Sequence, residues 1–191
     1  MRDIVLSHLT KSFGARSVFS DLSLTLSAGS VTCLTGASGC GKTTLLKIIA
    51  GLLVPDSGTV SGADGRISFV FQEDRLCEAF SARSNIRLVA ALPDNEIVSH
   101  IAALGLAEDT GKPVREFSGG MKRRVAIARA ICCPSELLLL DEPFDGLDAA
   151  SCSLTMDYIK ANRRGRTMVY VTHDLKEAAY MGGRIINLDT F

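Results

Sequence analysis

The 191-residue sequence has no tryptophan, only 6% aromatic residues, and no excess of either charge: 21 Lys and Arg balance 21 Asp and Glu. Zero net charge excludes a field-wide attraction to nucleic acid or anionic lipid, leaving only local patches. Long apolar runs are missing too. A membrane helix needs roughly 18–20 consecutive apolar residues, but the stretch 45–54 is broken by Lys47, and 137–140 ends at Asp141. No basic-then-apolar leader opens the chain, so a soluble protein retained where it is made is expected. The six cysteines, at 33, 40, 77, 132, 133 and 152, show no CxxC spacing. Reduced thiols, mostly filling the core, are therefore expected rather than a disulfide framework or a metal site. Repeats and low-complexity tracts are also lacking.

What is present is ordinary globular usage, with 47% hydrophobic and 22% charged residues. That composition and length predict one domain, residues 1–191, with a substantial core. A mean hydropathy of +0.22 is slightly high; buried strands or an apolar docking surface would both produce it.

Alternation of Ile4 and Leu6, then of Leu22, Leu24 and Leu26, predicts antiparallel strands near the start. Residues 30–35 read as an apolar strand running into Gly36, and 43–50 as a buried helix stopping at Gly51. Pro55, Ser57 and Gly58 read as a turn, followed by a strand at 66–71. Residues from about 76 to 134 read as a small helical insertion with helices at 85–91, 96–104 and 119–132. The rest alternates: strand 136–140, helix 149–162, strand 167–172, helix 175–181, strand 184–188. The fold class predicted is α/β, with a mostly parallel core sheet and an N-terminal antiparallel β subdomain.

Gly36-Ala-Ser-Gly-Cys-Gly41-Lys42-Thr43 fits the phosphate-loop pattern GxxxxGK[ST] between a strand and a helix. Glycines let backbone N–H groups turn toward phosphate oxygens, and the helix that follows adds its positive end. The pattern arises by chance on the order of once in a hundred chains of this length. Gly36, Ala37, Ser38, Gly39, Cys40, Gly41, Lys42, Thr43 and Thr44 are the expected nucleotide contacts. Lys42 would place its charge on the β- and γ-phosphates, and Thr43 its hydroxyl on Mg²⁺. Leu137-Leu-Leu-Leu140-Asp141-Glu142 reads as a strand buried on both faces that delivers two carboxylates at its C-terminal end. Asp141 is placed to hold Mg²⁺ through water, and Glu142 to polarise attacking water as a general base.

Other residues are ambiguous on their own. Ser118-Gly119-Gly120 is either an ordinary capped turn or a helix N-terminus open to an anion. Lys122, Arg123 and Arg124 read more readily as a solvated helix face than as a nucleic-acid patch. Gln72 and His173 both end strands, which would bring them to the sheet edge where nucleotides bind.

Taken in order, these motifs resemble the nucleotide-binding domain of ATP-binding cassette (ABC) proteins over essentially the whole chain. The loop at Lys42 is similar to Walker A, Leu137–Glu142 to Walker B with its catalytic glutamate, and Gln72 to the Q-loop glutamine. Phe117-Ser118-Gly119-Gly120-Met121 resembles the family signature, with Phe117 and Met121 departing from the usual LSGGQ. Asp148 resembles the D-loop aspartate and His173 the switch histidine, while Phe13 falls where the family stacks an aromatic on adenine. The resemblance implies a P-loop ATPase whose ATP and Mg²⁺ lie between two head-to-tail subunits. Catalytic roles then fall to Glu142, His173, Lys42 and Gln72, metal roles to Thr43, Gln72 and Asp141, and nucleotide contacts also to Phe13, Ser118, Gly119, Gly120 and Asp148. Bacterial importer subunits of the nitrate, sulfonate and taurine type look similar around Gln72 and Glu142. This implies separate membrane-spanning permease subunits, a substrate-binding protein reached through them, and a peripheral place on the cytoplasmic face of the plasma membrane. The alternative is a soluble ABC ATPase acting on nucleic acid, the ribosome or an assembly machine; without a basic arm or coiled-coil insertion, no nucleic-acid partner is expected.

Overall fold

The computed structural model describes residues 2–190. In chain order the elements are β1 (Ile4–Phe13), β2 (Arg16–Leu26), β3 (Val31–Thr35), α1 (Lys42–Ile49), β4 (Ser57–Ser61), β5 (Ile67–Val70), α2 (Ala82–Arg87), α3 (Asp94–Ala102), α4 (Gly119–Cys132), β6 (Leu137–Asp141), α5 (Ala149–Asn162), β7 (Thr167–Val171), α6 (Leu175–Met181) and β8 (Arg184–Asn187). The chain divides into two compact units. One comprises the chain up to Phe69, Ser135–Asp141 and the chain from Gly165; the other comprises Val70–Pro134 and Glu142–Arg164.

The first unit holds two sheets. A five-stranded sheet runs β5-β6-β7-β3-β8, and its β6–β7, β7–β3 and β3–β8 pairs are parallel. A three-stranded antiparallel sheet runs β2-β1-β4. Leu137 to Leu140 are fully buried, as a strand covered on both faces requires. In β2 the burial alternates, with Leu22, Leu24 and Leu26 inward and polar residues between them outward. These leucines join Leu34, Leu45, Leu46, Leu139 and Val169 in one core. Burying each such side chain is worth about 1.5–3 kcal/mol, which explains why the short α1 forms without a side-chain cap.

One element corrects the sequence reading. Ser57 and Gly58, read with Pro55 as a turn, instead open strand β4. It is almost wholly exposed and carries no alternating apolar signal. It pairs with β1 through the backbone ladder, with Val60 its one side chain packed against the core and Gly58 so close to the Ser7 and His8 carbonyls that a Cβ would lie 2.4–2.5 Å from them.

The second unit is helical. Asn85, fully buried, knits the segment before α2: its Oδ1 accepts from the Cys77 N–H, and its Nδ2 donates to the Cys77, Phe80 and Ser81 carbonyls. Ile86, Ile97, Ile101, Val114, Val125 and Ile159 are buried in this unit. The helix expected at 85–91 starts earlier, at Ala82, because Ser81 supplies the N-cap through its hydroxyl and Ser84 N–H. All six cysteines are free thiols, but only Cys33 is fully buried and Cys77 is exposed, so core filling accounts for fewer of them than composition suggests.

Candidate active site

In the first unit, the chain between β3 and α1 turns on three glycines with positive φ: Gly36 at 140°, Gly39 at 80° and Gly41 at 105°. A side chain at Gly41 would strike Val18 Cγ1 at 2.4 Å and Phe19 Cζ at 2.6 Å, so glycine here is a condition of packing as well as of conformation. The turn opens α1 with its first backbone N–H groups free of any side-chain cap, a ready anion site. Lys42 is only 8% exposed, and its Nζ donates to the Gly36 and Ala37 carbonyls at 2.8 Å each. The ammonium is thus held inside its own loop. Ser38 and Gly39 are exposed, and Thr44 is half-buried at the start of the helix.

Thr43 donates its hydroxyl to Asp141 Oδ1 at 3.1 Å. The two lie 98 positions apart and come together because β6 ends beside the start of α1. Asp141 is 2% exposed, and a carboxylate so buried needs a partner of this kind. A hydroxyl beside a buried carboxylate is a hard-oxygen pair, suited to Mg²⁺ that keeps water and phosphate oxygens as its other ligands. Among the described residues no group of three or more His, Cys, Asp and Glu could hold a metal ion by itself.

Phe13 is 52% exposed at the end of β1, paired across the hairpin with Arg16, and Lys11 Nζ stands 5.3 Å from its ring centre. Its ring face is therefore available for stacking. His173 is exposed between β7 and α6. Two residues that the sequence reading missed also touch the loop. Arg16 donates from Nη2 to the Gly39 carbonyl at 2.8 Å, and the Asp189 carboxylate accepts from the Ala37 N–H at 2.9 and 3.1 Å. No local pattern marks either; they are 23 and 152 positions from the loop residues they hold.

The second unit carries Gln72, Ser118–Gly120, Glu142 and Asp148. Ser118 caps α4, accepting from the Met121 N–H at 3.3 Å, and Phe117 beside it is buried. Gly119 faces open space, while a Cβ at Gly120 would lie 3.4 Å from Leu147, so the signature segment and the loop before Asp148 are neighbours. Asp148 caps α5, and hydrogen bonds from the Ser151 N–H and hydroxyl hold its carboxyl below the usual range. Gln72 is exposed, and Glu142 is half-buried with φ of 47°, a left-handed conformation unusual for a non-glycine residue.

The basic stretch of α4 is not a solvated face. Lys122 pairs with Glu78 at 2.8 Å, Arg124 donates to the Leu104 carbonyl at 2.9 Å, and Arg123 is 5% exposed. Their cations satisfy backbone and carboxylate groups within the unit, which the charge run alone did not reveal.

Similarity to known proteins agrees with these features. The sequence pattern of the ABC transporter family matches residues 19–145. The chain is 37% identical over 193 residues to an aliphatic sulfonates import ATP-binding protein, SsuB 1, of Xanthomonas axonopodis pv. citri, covering 92% of this chain and 77% of that one. It is 36% identical over 182 residues to the taurine import ATP-binding protein TauB of Roseobacter denitrificans, covering 87% and 68%. In structure it is similar to the dimeric post-hydrolysis state of the ATP-binding cassette MJ0796 bound to ADP and Pi, with a TM-score of 0.84 at 28% identity over 96% of this chain and 93% of that one. A glycine loop at a helix start, a lysine held within it, a buried aspartate at the end of a parallel strand and a match over most of the length lead to one conclusion: the chain belongs to the ABC transporter family, as one of its ATP-hydrolysing cassettes.

Proposed function

We propose that this chain is the ATPase subunit of an importer, closing with a second copy around MgATP to drive solute through separate membrane-spanning permease subunits. The observation that carries the reading is the Thr43–Asp141 contact at 3.1 Å beside Lys42, a phosphate and metal station at one sheet edge. The relatives named for sulfonate and taurine import support the direction of transport. Among the described residues no helix is long and apolar enough to cross a membrane, which is consistent with a separate permease.

In this reading Lys42 turns from the Gly36 and Ala37 carbonyls to the β- and γ-phosphates, where its charge offsets that of the transferring group. The N–H groups from Gly39 to Thr44 bind the phosphates, and Phe13 stacks on the adenine. Thr43 and Asp141 would hold Mg²⁺, with Gln72 the further ligand that the family resemblance implies, and the ion would supply charge neutralisation at the phosphates. Glu142 orients and polarises the attacking water, and His173 holds the γ-phosphate region from its exposed position. Ser118, Gly119 and Asp148 are exposed, as residues serving a second copy's nucleotide must be in an isolated chain. Closure would exclude water and strengthen every charge interaction at the phosphates. In the second unit, Phe80, hydrogen-bonded through its N–H to the Cys77 carbonyl, is an exposed apolar residue, as are Leu88 and Val89; with Leu76 they would suit a short helix of the permease. A peripheral place on the cytoplasmic membrane face follows, with a substrate-binding protein reached through the permease.

The test is Glu142→Gln. It should bind ATP, lose about 100-fold or more of turnover, and run as a dimer on sizing in ATP. A monomer with unchanged turnover would refute Glu142 as the polarising group. Affinity capture from solubilised membranes should recover an integral-membrane partner; recovery of ribosomes or DNA instead would favour the non-transport alternative.

A further inference from the structure

Arg123 sits in the second turn of α4, and its guanidinium is buried against two separate segments, 71–74 and the turn at Glu142. Nη1 donates to the Phe71 carbonyl at 2.6 Å, while Nη2 donates to the Gln72 carbonyl at 2.9 Å and to the Glu142 carbonyl at 3.3 Å. Asp74 Oδ1 lies 3.3 Å from Nη1, supplying the counter-charge. Burial pushes the Asp74 carboxyl up, while Arg123, Lys122 and Arg129 pull it down. A buried cation is tolerated only when paired and hydrogen-bonded, and here it is both. The planar fork of arginine reaches carbonyls on separate segments from two fixed nitrogens, whereas a lysine ammonium gathers all its donors at one atom.

The partners are specific. Two of the three carbonyls belong to Gln72 and Glu142, and Glu142 has the left-handed backbone described above. Its carbonyl also accepts from the Asp145 N–H at 3.2 Å, so the turn that aims the Glu142 side chain is held at one atom from two sides. Local strain of this kind persists only where its surroundings enforce it. Arg123 further shares its helix with Ser118, whose hydroxyl caps the first turn.

We propose that Arg123 is a positioning residue for ATP hydrolysis: one guanidinium fastens the Gln72 and Glu142 backbones to the helix that begins at the signature serine, so that both side chains keep their aim together. The proposal rests on the roles given to Gln72 and Glu142 above. Arg123 touches neither nucleotide nor water; it acts through those two residues. Its loss leaves the Lys42 loop and Phe13 untouched, and therefore costs turnover rather than nucleotide affinity.

The test compares Arg123→Ala and Arg123→Lys with the native chain, measuring steady-state MgATP turnover and titrating a fluorescent ATP analogue. Misaiming a reacting group by about 1 Å costs up to about 100-fold. Arg123→Ala should lower kcat roughly 10- to 100-fold while the nucleotide Kd stays within about twofold. Arg123→Lys, which keeps the buried charge beside Asp74 but not the fork, should fold and still lose about three- to tenfold in kcat. If Arg123→Ala fails to fold, Arg123→Lys decides. Full kcat in Arg123→Lys, or a raised Kd with unchanged kcat in either variant, overturns the proposal. Glu142→Gln run in parallel separates the two claims: if it loses turnover while Arg123→Lys does not, only the positioning role fails, whereas unchanged turnover in Glu142→Gln removes the reading beneath it.

Discussion

Lys42→Ala probes the phosphate loop most directly, and its cost follows from what the ammonium does in the structure. In the free chain Nζ makes two hydrogen bonds to its own loop, at 2.8 Å to Gly36 and 2.8 Å to Ala37. Binding ATP exchanges these neutral acceptors for charged phosphate oxygens. A hydrogen bond to a charged group is worth about 1.5–3 kcal/mol net, against about 1 kcal/mol for a neutral one. Since each 1.4 kcal/mol is tenfold, truncation should weaken MgATP about 10- to 150-fold. The variant also loses its internal bonds, so its own stability should fall by only about 1–3 kcal/mol. The assay is calorimetric titration of the folded variant with MgATP, and with AMP as a control that lacks β- and γ-phosphates. An ATP Kd within twofold of the native value, or an equal loss for AMP, would refute the placement of Lys42 on the terminal phosphates.

Two further outcomes can be checked on the free chain. Gly41→Ala must place a Cβ 2.4 Å from Val18 at a φ of 105°; left-handed strain of about 1–2 kcal/mol plus overpacking of about 1–3 kcal/mol should destabilise the fold by roughly 2–5 kcal/mol in urea melts, and a native-like midpoint would refute the packing argument. His100 shares a 2.9 Å hydrogen bond with the Tyr158 hydroxyl, and burial, followed by the nearby Arg164 charge and opposed by Glu96, holds its pKa below the ordinary value. The unfolded chain therefore binds this proton first as pH falls, so the stability His100 contributes is present above about pH 6.5 and is lost as pH drops through its folded pKa. Melts at pH 7.5 and 5.5 should show that loss in the native chain and less of it in His100→Gln; an equal loss in both would assign the acid sensitivity elsewhere.

Much of the site was legible because its residues act through neighbours in the chain. The loop from Gly36 to Thr43 carries its glycines, lysine and hydroxyl within eight positions, and the structure places a helix start there. The run Leu137–Leu140 announced a strand buried on both faces, and Asp141 is where that strand ends. Ser118 and Asp148 each cap a helix that begins at the next residue, a relation set by local hydrogen bonds. Strand β4 was not legible, because an exposed edge held by backbone pairing leaves no hydrophobic period to read. Nor were Arg16, Asp189 or the burial of Arg123.

The sequence by itself determined the glycine turn that opens α1, the buried strand that ends at Asp141, and the order of elements, since each depends on residues within a turn or two of one another. Only the tertiary structure decided that Thr43 meets Asp141, that Asp189 holds the Ala37 N–H, and that Arg123 is an internal clasp rather than part of a wetted basic face. These contacts span from 19 to 152 positions. A guanidinium has the same charge on a surface as in a core, and only its distance from particular carbonyls and from water separates the two.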